Sequence, residues 1–341
     1  MRRPFYRTQF GGPSMMLRVT APSRLHWGLV RPVPKPDGRR AFGGMGLTLE
    51  APGVHLLAFP SDESSWSGPN AERLRQFAQR YAEGIGGFSQ MGVPSIRWVV
   101  ERCPPAHCGL GSGTQLALAT AWVLARLSGH PEDVGNLAAL TGRALRSSLG
   151  CQGFEKGGLL LDPGHPAVGQ SPKVEPPECR EEYPSNWPIL VLLAEEPGAW
   201  HGSREKKAFA GLESADNVSD SMEALARQEI LPAVRARDFG TMGRAVHQFN
   251  RLAGQAFAGV QGGLYSSPGI SRIIQKLLLM GVEGCGQSSW GPAVFGLMRD
   301  MDHANWVLNR IQDECPHGVW VTRAQNHGAS LEVDSGANKA D

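Results

Sequence analysis

The spacing of apolar and polar positions changes several times along the chain, and each change marks an element. From Leu17 the stretch LRVTAPSRLHWGLV reads as strand, and after the proline- and glycine-rich RPVPKPDGRRAFGG a second strand follows in MGLTLEAPGVHLLAF. AERLRQFAQRYAEGI then sets Leu74, Phe77, Ala78 and Tyr81 at helical intervals, and SIRWVVE alternates with branched side chains. QLALATAWVLARLSGHP predicts a long helix stopped by Gly129 and Pro131, with Pro131 opening another that carries Leu137, Leu140 and Leu145. Residues 165–188 are rich in proline and alternating charge, so a domain boundary is expected near them. ILVLLAE is a short apolar run of the kind buried on both faces of a sheet. Residues 204–257 predict successive amphipathic helices, and GISRIIQKLLLMG another with Ile270, Ile273, Ile274, Leu277 and Leu278 on one face. PAVFGLMR, DHANWVLNRIQDEC and GVWVTRA then give strand, helix and strand, an α+β second half. No fixed-period repeat is present.

Composition narrows this little: 341 residues, 41% hydrophobic and 19% charged, describe an ordinary globular chain of two domains or one large one. A net charge of +2 with both signs interspersed makes no case for nucleic acid, while an acidic small-molecule substrate remains open. Six cysteines without a Cys-x-x-Cys pair fit a reducing cytosol, and Cys103, His107 and Cys108 lack a fourth ligand at zinc spacing. The basic start MRRPFYRTQFGGPSMM has no apolar signal core, and no window approaches a membrane span of ~18 residues. A cytoplasmic protein that binds no membrane is expected, with disordered tails at 1–15 and 335–341.

The candidate chemistry centres on PPAHCGLGSGTQLALA, a glycine-rich turn at the start of a helix. Glycines there let unpaired backbone N–H groups converge on an anion, the helix dipole favours negative charge, and the hydroxyls of Ser112 and Thr114 are further donors. The turn is neither a Walker loop nor a dinucleotide fingerprint. Its plain alternative is an ordinary strand-to-helix turn with Ser112 or Thr114 as N-cap. Two other stretches favour the anion: PSRLHWGL sets Arg24 and His26 on one side of a strand, and GVEGCGQSSWGPAVFGL is a second glycine/serine turn between helix and strand.

An early Pro-Ser-Arg strand, a central Pro-x-x-x-Gly-Leu-Gly-Ser-Gly loop and a late glycine/serine turn, in that order, resemble the GHMP kinase superfamily over nearly the whole chain. The resemblance implies an α+β, two-domain fold: an N-terminal domain with a left-handed βαβ crossover at 16–185 and a ferredoxin-like C-terminal domain at 186–334. Kinases of this superfamily commonly carry a catalytic Asp a few residues before a Gly-Gly strand, and here Gly150 stands in its place. They also commonly read Gly-Leu-Gly-Ser-Ser-Ala where this chain has Gly113, Thr114 and Gln115 after Ser112. A glycine takes no proton. PSRLHWGL, HCGLGSGTQLALA, GFEKGGLLLD, HGSREKKAF and GQSSWGP are similar instead to one branch, the β-ribofuranosylaminobenzene 5′-phosphate synthases.

That branch implies condensation of 5-phosphoribosyl-1-diphosphate with 4-aminobenzoate, releasing diphosphate and carbon dioxide, toward the folate analogue methanopterin. It implies Gly109, Gly111, Ser112, Gly113, Thr114 and Gln115 around the diphosphate, together with Mg2+ and no organic cofactor. Arg24 is the candidate anion clamp, His26 a donor to carboxylate or phosphate, and Glu155 a substitute for the missing acid. His201 and Arg204 are expected to reach an anion, Gln287, Ser288 and Ser289 to supply polar contacts, and Trp290 to stack on the aromatic ring. Asp162 is the candidate magnesium ligand, with Glu155 as another. Small-molecule substrates are the expected partners, and a homodimer is an open expectation from the superfamily. An ordinary small-molecule kinase and a noncatalytic ligand-binding protein of the same fold remain as alternatives.

Overall fold

The computed structural model describes residues 15–30, 40–86, 93–145, 147–165, 174–197 and 216–335. Two long antiparallel strands, β1 (Met16–Val30) and β2 (Gly43–Pro60), form the spine of the first sheet. Its order is β11-β1-β2-β4-β3, with β3 (Ser65–Ser67), β4 (Ile96–Arg102) and β11 (Ser330–Asp334), while β5 (Leu159–Asp162) and β6 (Cys179–Glu181) extend from β2. One face carries α1 (Ala71–Ile85), α2 (Ser112–Ser128), α3 (Val134–Leu140) and α4 (Leu149–Lys156). Leu17, Val19 and Ala21 join that helical core, whereas Leu25 and Trp27 join the core shared with the second sheet. All five positions are odd. A register irregularity between Ala21 and Ser23 exchanges the faces, which is what one inserted residue does to a period of two.

The second sheet has the order β10-β7-β9-β8, built from β7 (Ile189–Leu193), β8 (Cys285–Gln287), β9 (Ala293–Leu297) and β10 (Gly318–Thr322), every neighbour antiparallel. Helices link its first strand to its second and its third to its fourth, the ferredoxin-like arrangement. Between β7 and β8 the described helices are α5 (Asp216–Ala224), a π-helical turn (Leu225–Ile230), α6 (Leu231–Ala236), α7 (Phe239–Gln261) and α8 (Pro268–Leu279), and α9 (Met301–Ile311) precedes β10. In β7, Ile189, Val191 and Leu193 face the shared core and Leu190 and Leu192 face α8 and α9, so the continuous apolar run is buried on both sides.

Three local expectations differ from the fold. Helix α3 begins after the Asp133 cap and ends at Leu140, because Gly142 and Ala144 adopt positive φ; Leu145 therefore leaves the helix and is 65% exposed. Leu278 lies at the edge of the apolar stripe of α8, 39% exposed, while its four companions are buried. The last strand, within the range expected for the second half, pairs with β1 in the first sheet from Met16 with Asp334 to Thr20 with Ser330.

Candidate active site

Helix α2 starts without a side-chain cap. Its N-cap is Gly111 at φ 73°, a left-handed conformation open to glycine, and Gly109 two residues earlier has φ 93°. The first-turn N–H groups therefore lack the usual capping oxygen, the condition under which a helix N-terminus receives an anion. A Cβ on Gly109 would lie 2.3 Å from the Ser288 carbonyl, and one on Gly291 would lie 2.2 Å from the Cys108 carbonyl carbon and the Gly109 nitrogen. The central and late glycine loops are thus packed backbone against backbone.

Hydrogen bonds lock this contact. Ala293 N–H donates to the Cys108 carbonyl at 3.1 Å, and the Ser288 hydroxyl donates to the Gly109 carbonyl at 2.8 Å. Strand β1 joins the same knot: His26 N–H donates to Ser288 Oγ at 3.0 Å, and Ser289 N–H donates to the His26 carbonyl at 3.0 Å. Asn250 of α7 donates to the carbonyls of Trp27, at 2.7 Å, and Gln287, at 2.8 Å, and accepts from Gln287 N–H at 3.0 Å. A cavity of about 250 Å³ opens beside the knot. Arg24, His26, Thr114, Arg143 and Ser147 line its polar wall, and Leu145, Phe257 and Trp290 its apolar one. The Trp290 ring meets Phe257 edge-on at 4.8 Å between centroids.

The expected site residues divide into those that face this cavity and those that build it. Arg24, His26, Thr114, Ser289 and Trp290 line it. Arg24 Nη1 also donates to the Gly109 carbonyl at 3.2 Å, and its stem crosses Gly111. Ser112 gives its hydroxyl proton to the Pro105 carbonyl, and fully buried Gln115 donates to the Gly150 carbonyl at 2.8 Å. Ser288 is buried in the knot, and Gln287 reaches the wall with both amide ends engaged, by Ser266 and the Gly291 carbonyl. These four side chains hold the loops in shape. Glu155 is exposed on α4 and does not border the cavity. His201 and Arg204 lie outside the described residues.

Asp162 is buried, with its four acceptor directions filled. Oδ2 takes the Ser147 hydroxyl at 3.0 Å and Ser148 N–H at 2.7 Å, and Oδ1 takes Gln152 at 3.2 Å and Gly164 N–H at 3.0 Å. Burial raises its pKa against the lowering effect of those donors. A carboxylate so engaged does not fit magnesium, and neither does exposed Glu155; among the described residues no three His, Cys, Asp or Glu side chains are grouped for a metal. Asp162 instead anchors Ser147, whose oxygen accepts from Leu149 N–H at 3.2 Å and faces His26 Nε2 at 3.3 Å. With the serine proton given to Asp162, the imidazole is the donor in that contact and carries its hydrogen on Nε2. Burial, then the charge of Arg24, holds the His26 pKa well below its ordinary value, so the ring is neutral with Nδ1 as acceptor.

The chain matches the models of the GHMP kinases N terminal domain over residues 73–155 and of the GHMP kinases C terminal domain over residues 230–317. Its fold is shared with the homoserine kinase of Cytophaga hutchinsonii, TM-score 0.62 at 16% identity, covering 93% of this chain and 97% of that one. A mevalonate kinase superposes with TM-score 0.61 at 12% identity, covering 91% and 99%. Among curated proteins, the β-ribofuranosylphenol 5′-phosphate synthase of Methanothermobacter thermautotrophicus is 30% identical over 337 residues, covering 92% of this chain and 98% of the relative. The chain belongs to this synthase family. The synthase of the same name from Archaeoglobus fulgidus is 28% identical and covers 93% of this chain and all of its own length.

For a synthase on a kinase fold, Gly150 has a packing reason: a Cβ there would lie 3.0 Å from Thr114 Cγ2, so α4 meets the first turn of α2 through a glycine. Arg143, Leu145, Ser147, Asn250 and Phe257 escape sequence reasoning. Leu145 is expected on the apolar face of the helix after Pro131, nothing in the sequence singles out Arg143 or Ser147, and Asn250 and Phe257 fall within a stretch expected only as amphipathic helix. Only the break at Gly142, a glycine after Thr141, hints that the segment leaves its helix to form a wall.

Proposed function

We propose that the protein transfers a phosphoribosyl group from 5-phosphoribosyl-1-diphosphate to a para-substituted benzoate, releasing diphosphate and carbon dioxide. The observation that carries this is the uncapped glycine start of α2 beside a cavity with a cationic wall and an apolar, aromatic wall, in a chain of the synthase family. The first wall suits an anion that leaves and the second a flat ring that attacks. The relatives' name gives their product as a phenol, so 4-hydroxybenzoate stands beside 4-aminobenzoate as acceptor, each with a para group that feeds electrons into the ring.

The C1–O bond of the ribose breaks with its electron pair going to diphosphate, and the ring carbon bearing the carboxylate forms the new bond to C1. The bond to the carboxylate carbon then breaks, its pair returns to the ring, and carbon dioxide leaves. Carbon dioxide rather than a proton leaves the ring carbon, so no catalytic base is needed there, in keeping with Gly150 in place of the kinase Asp. Arg24 and the α2 terminus hold negative charge as it develops on the leaving group. His26, kept neutral, offers Nδ1 to the para O–H or N–H of the acceptor, and Trp290 with Phe257 holds the ring plane. We assign magnesium to the diphosphate oxygens rather than to a protein carboxylate.

The test is release of labelled carbon dioxide from carboxyl-labelled 4-aminobenzoate and 4-hydroxybenzoate, with and without the ribosyl donor. Release that requires donor and acceptor together, with one acid preferred, is expected. Folded protein silent with both acids would overturn the proposal, and ADP formed from ATP with an alcohol acceptor would replace it with a kinase.

A further inference from the structure

We propose that Arg73 and Arg143 form a two-guanidinium clamp over the first turn of α2 that grips the diphosphate of the donor. This deepens the ribosyl-transfer proposal and rests on it. Arg73 projects from the start of α1 and Arg143 from the stretch after α3, and they meet above Gly113: an ideal Cβ there would lie 2.6 Å from Arg73 Nη2 and 3.8 Å from Arg143 Nη1. The buried ring of Phe77 holds both, with guanidinium carbons 5.9 Å and 4.6 Å from its centroid.

Among the described residues nothing negative balances them: no carboxylate pairs with either arginine, and Arg73 Nη1 and Arg143 Nε are buried donors without an acceptor. The groups that offset Arg73 are the thiols of Cys103 and Cys108, which burial pushes up to about 12 and about 11, so both are uncharged at neutral pH. Burial first, then the neighbouring charges of Arg73 and Arg80, brings Arg143 down to about 10. Two cations beside a positive helix terminus, with Arg24 crossing Gly111 nearby, repel one another until a multivalent anion enters. A diphosphate has the charge and the spread of oxygens to meet two forks and the helix N–H groups together.

The same contact makes Gly113 part of the site. It departs from the serine common in the kinase loop, and any side chain there would push its Cβ into Arg73. The atom met is the far end of a flexible side chain, so alanine is accommodated by shifting the Arg73 guanidinium, and Gly113→Ala is a second way to move Arg73 without touching its charge.

The experiment is calorimetric titration of the full-length protein with inorganic diphosphate, and separately with ribose 5-phosphate, for wild type, Arg73→Gln, Arg143→Gln and Gly113→Ala. Loss of one charge-assisted contact predicts about 10- to 100-fold weaker diphosphate binding in each arginine variant, and a loss in the same direction for Gly113→Ala. Ribose 5-phosphate affinity should change less than about threefold. Melting of the unliganded arginine variants at or above the wild-type temperature, with a smaller rise on adding diphosphate, supports the clamp through a readout that a merely structural role would not give. Wild-type diphosphate affinity in both arginine variants would overturn it, as would an equal loss for ribose 5-phosphate. Diphosphate binding that depends on the pair, without product from either aromatic acid, would remove the ribosyl-transfer proposal and leave an arginine-clamped diphosphate site. Product formation with an unchanged donor KM in both variants would remove the clamp and leave the transfer.

Discussion

Gly291→Ala tests the contact on which the site depends. Its Cβ would meet Cys108 C, Gly109 N and Cys108 O at 2.2, 2.2 and 2.3 Å, about 1 Å inside ordinary contact, and all three are backbone atoms that cannot rotate away. Overpacking of this kind costs about 1–3 kcal/mol. If the loops part to relieve it, the hydrogen bonds from Ala293 N–H to Cys108 and from Ser288 Oγ to Gly109 stretch, at about 1 kcal/mol each. Against this, alanine gains roughly 0.5–1 kcal/mol by restricting the unfolded chain. The net loss is about 2–4 kcal/mol, or roughly 3–6 °C in melting temperature for a chain of 341 residues. Gly259→Ala is the control: nothing lies within 4 Å of its Cβ on α7, so it should be neutral or stabilising by up to about 1 kcal/mol. Thermal unfolding followed by circular dichroism, with labelled carbon dioxide release on the same preparations, reads both effects. A Gly291→Ala protein that melts with wild type and turns over normally would refute the close packing of the two loops.

Removing Asn250 strands two carbonyls and one N–H in the interior, so Asn250→Ala should lose about 3 kcal/mol in urea unfolding; Asn250→Asp, which sets a carboxylate against two carbonyls, should lose more. An Asn250→Asp protein as stable as wild type would show that these bonds are not made. The folded-state pKa values of His26, His55 and His247 are all depressed, burial being the first cause in each, so below pH about 6.5 the unfolded chain binds protons that the native state does not. Stability is full above that pH and falls as pH drops toward the folded values, by up to about 1.4 kcal/mol per pH unit for fully buried His26 and by less for His55 and His247, whose exposure lets solvent screen the effect. Urea midpoints between pH 8 and 5 should therefore fall less steeply for His26→Gln, and parallel curves would contradict the assignment. Asp162→Asn turns one donor-accepting oxygen into a donor, which predicts about 2 kcal/mol of destabilisation with the magnesium requirement within about twofold of wild type. A tenfold higher requirement would make Asp162 a metal ligand after all.

Much of the architecture was legible because its signals are local. Alternation in β1 and β4, the apolar run of β7 and the apolar spacing of α1 and α8 come from periods of two and 3.6, which a dozen neighbouring residues suffice to express. The glycine turn was legible too, since positive φ at Gly109 and Gly111 demands glycine whatever surrounds it.

The site was only half legible, because a polar side chain looks the same in sequence whether it faces a ligand or another part of the chain. Ser112, Gln115, Gln287 and Ser288 read as binders, yet their hydrogen bonds go to carbonyls and loops that only folding brings near. Nothing in the sequence singles out Arg73 or Arg143, and only the fold sets both over Gly113. By itself the sequence determined the elements, the glycine-rich start of α2 and the family. Tertiary structure decided which donors were left over to hold an anion, since that depends on contacts such as His26 with Ser288, 262 positions apart, whose geometry no local spacing encodes.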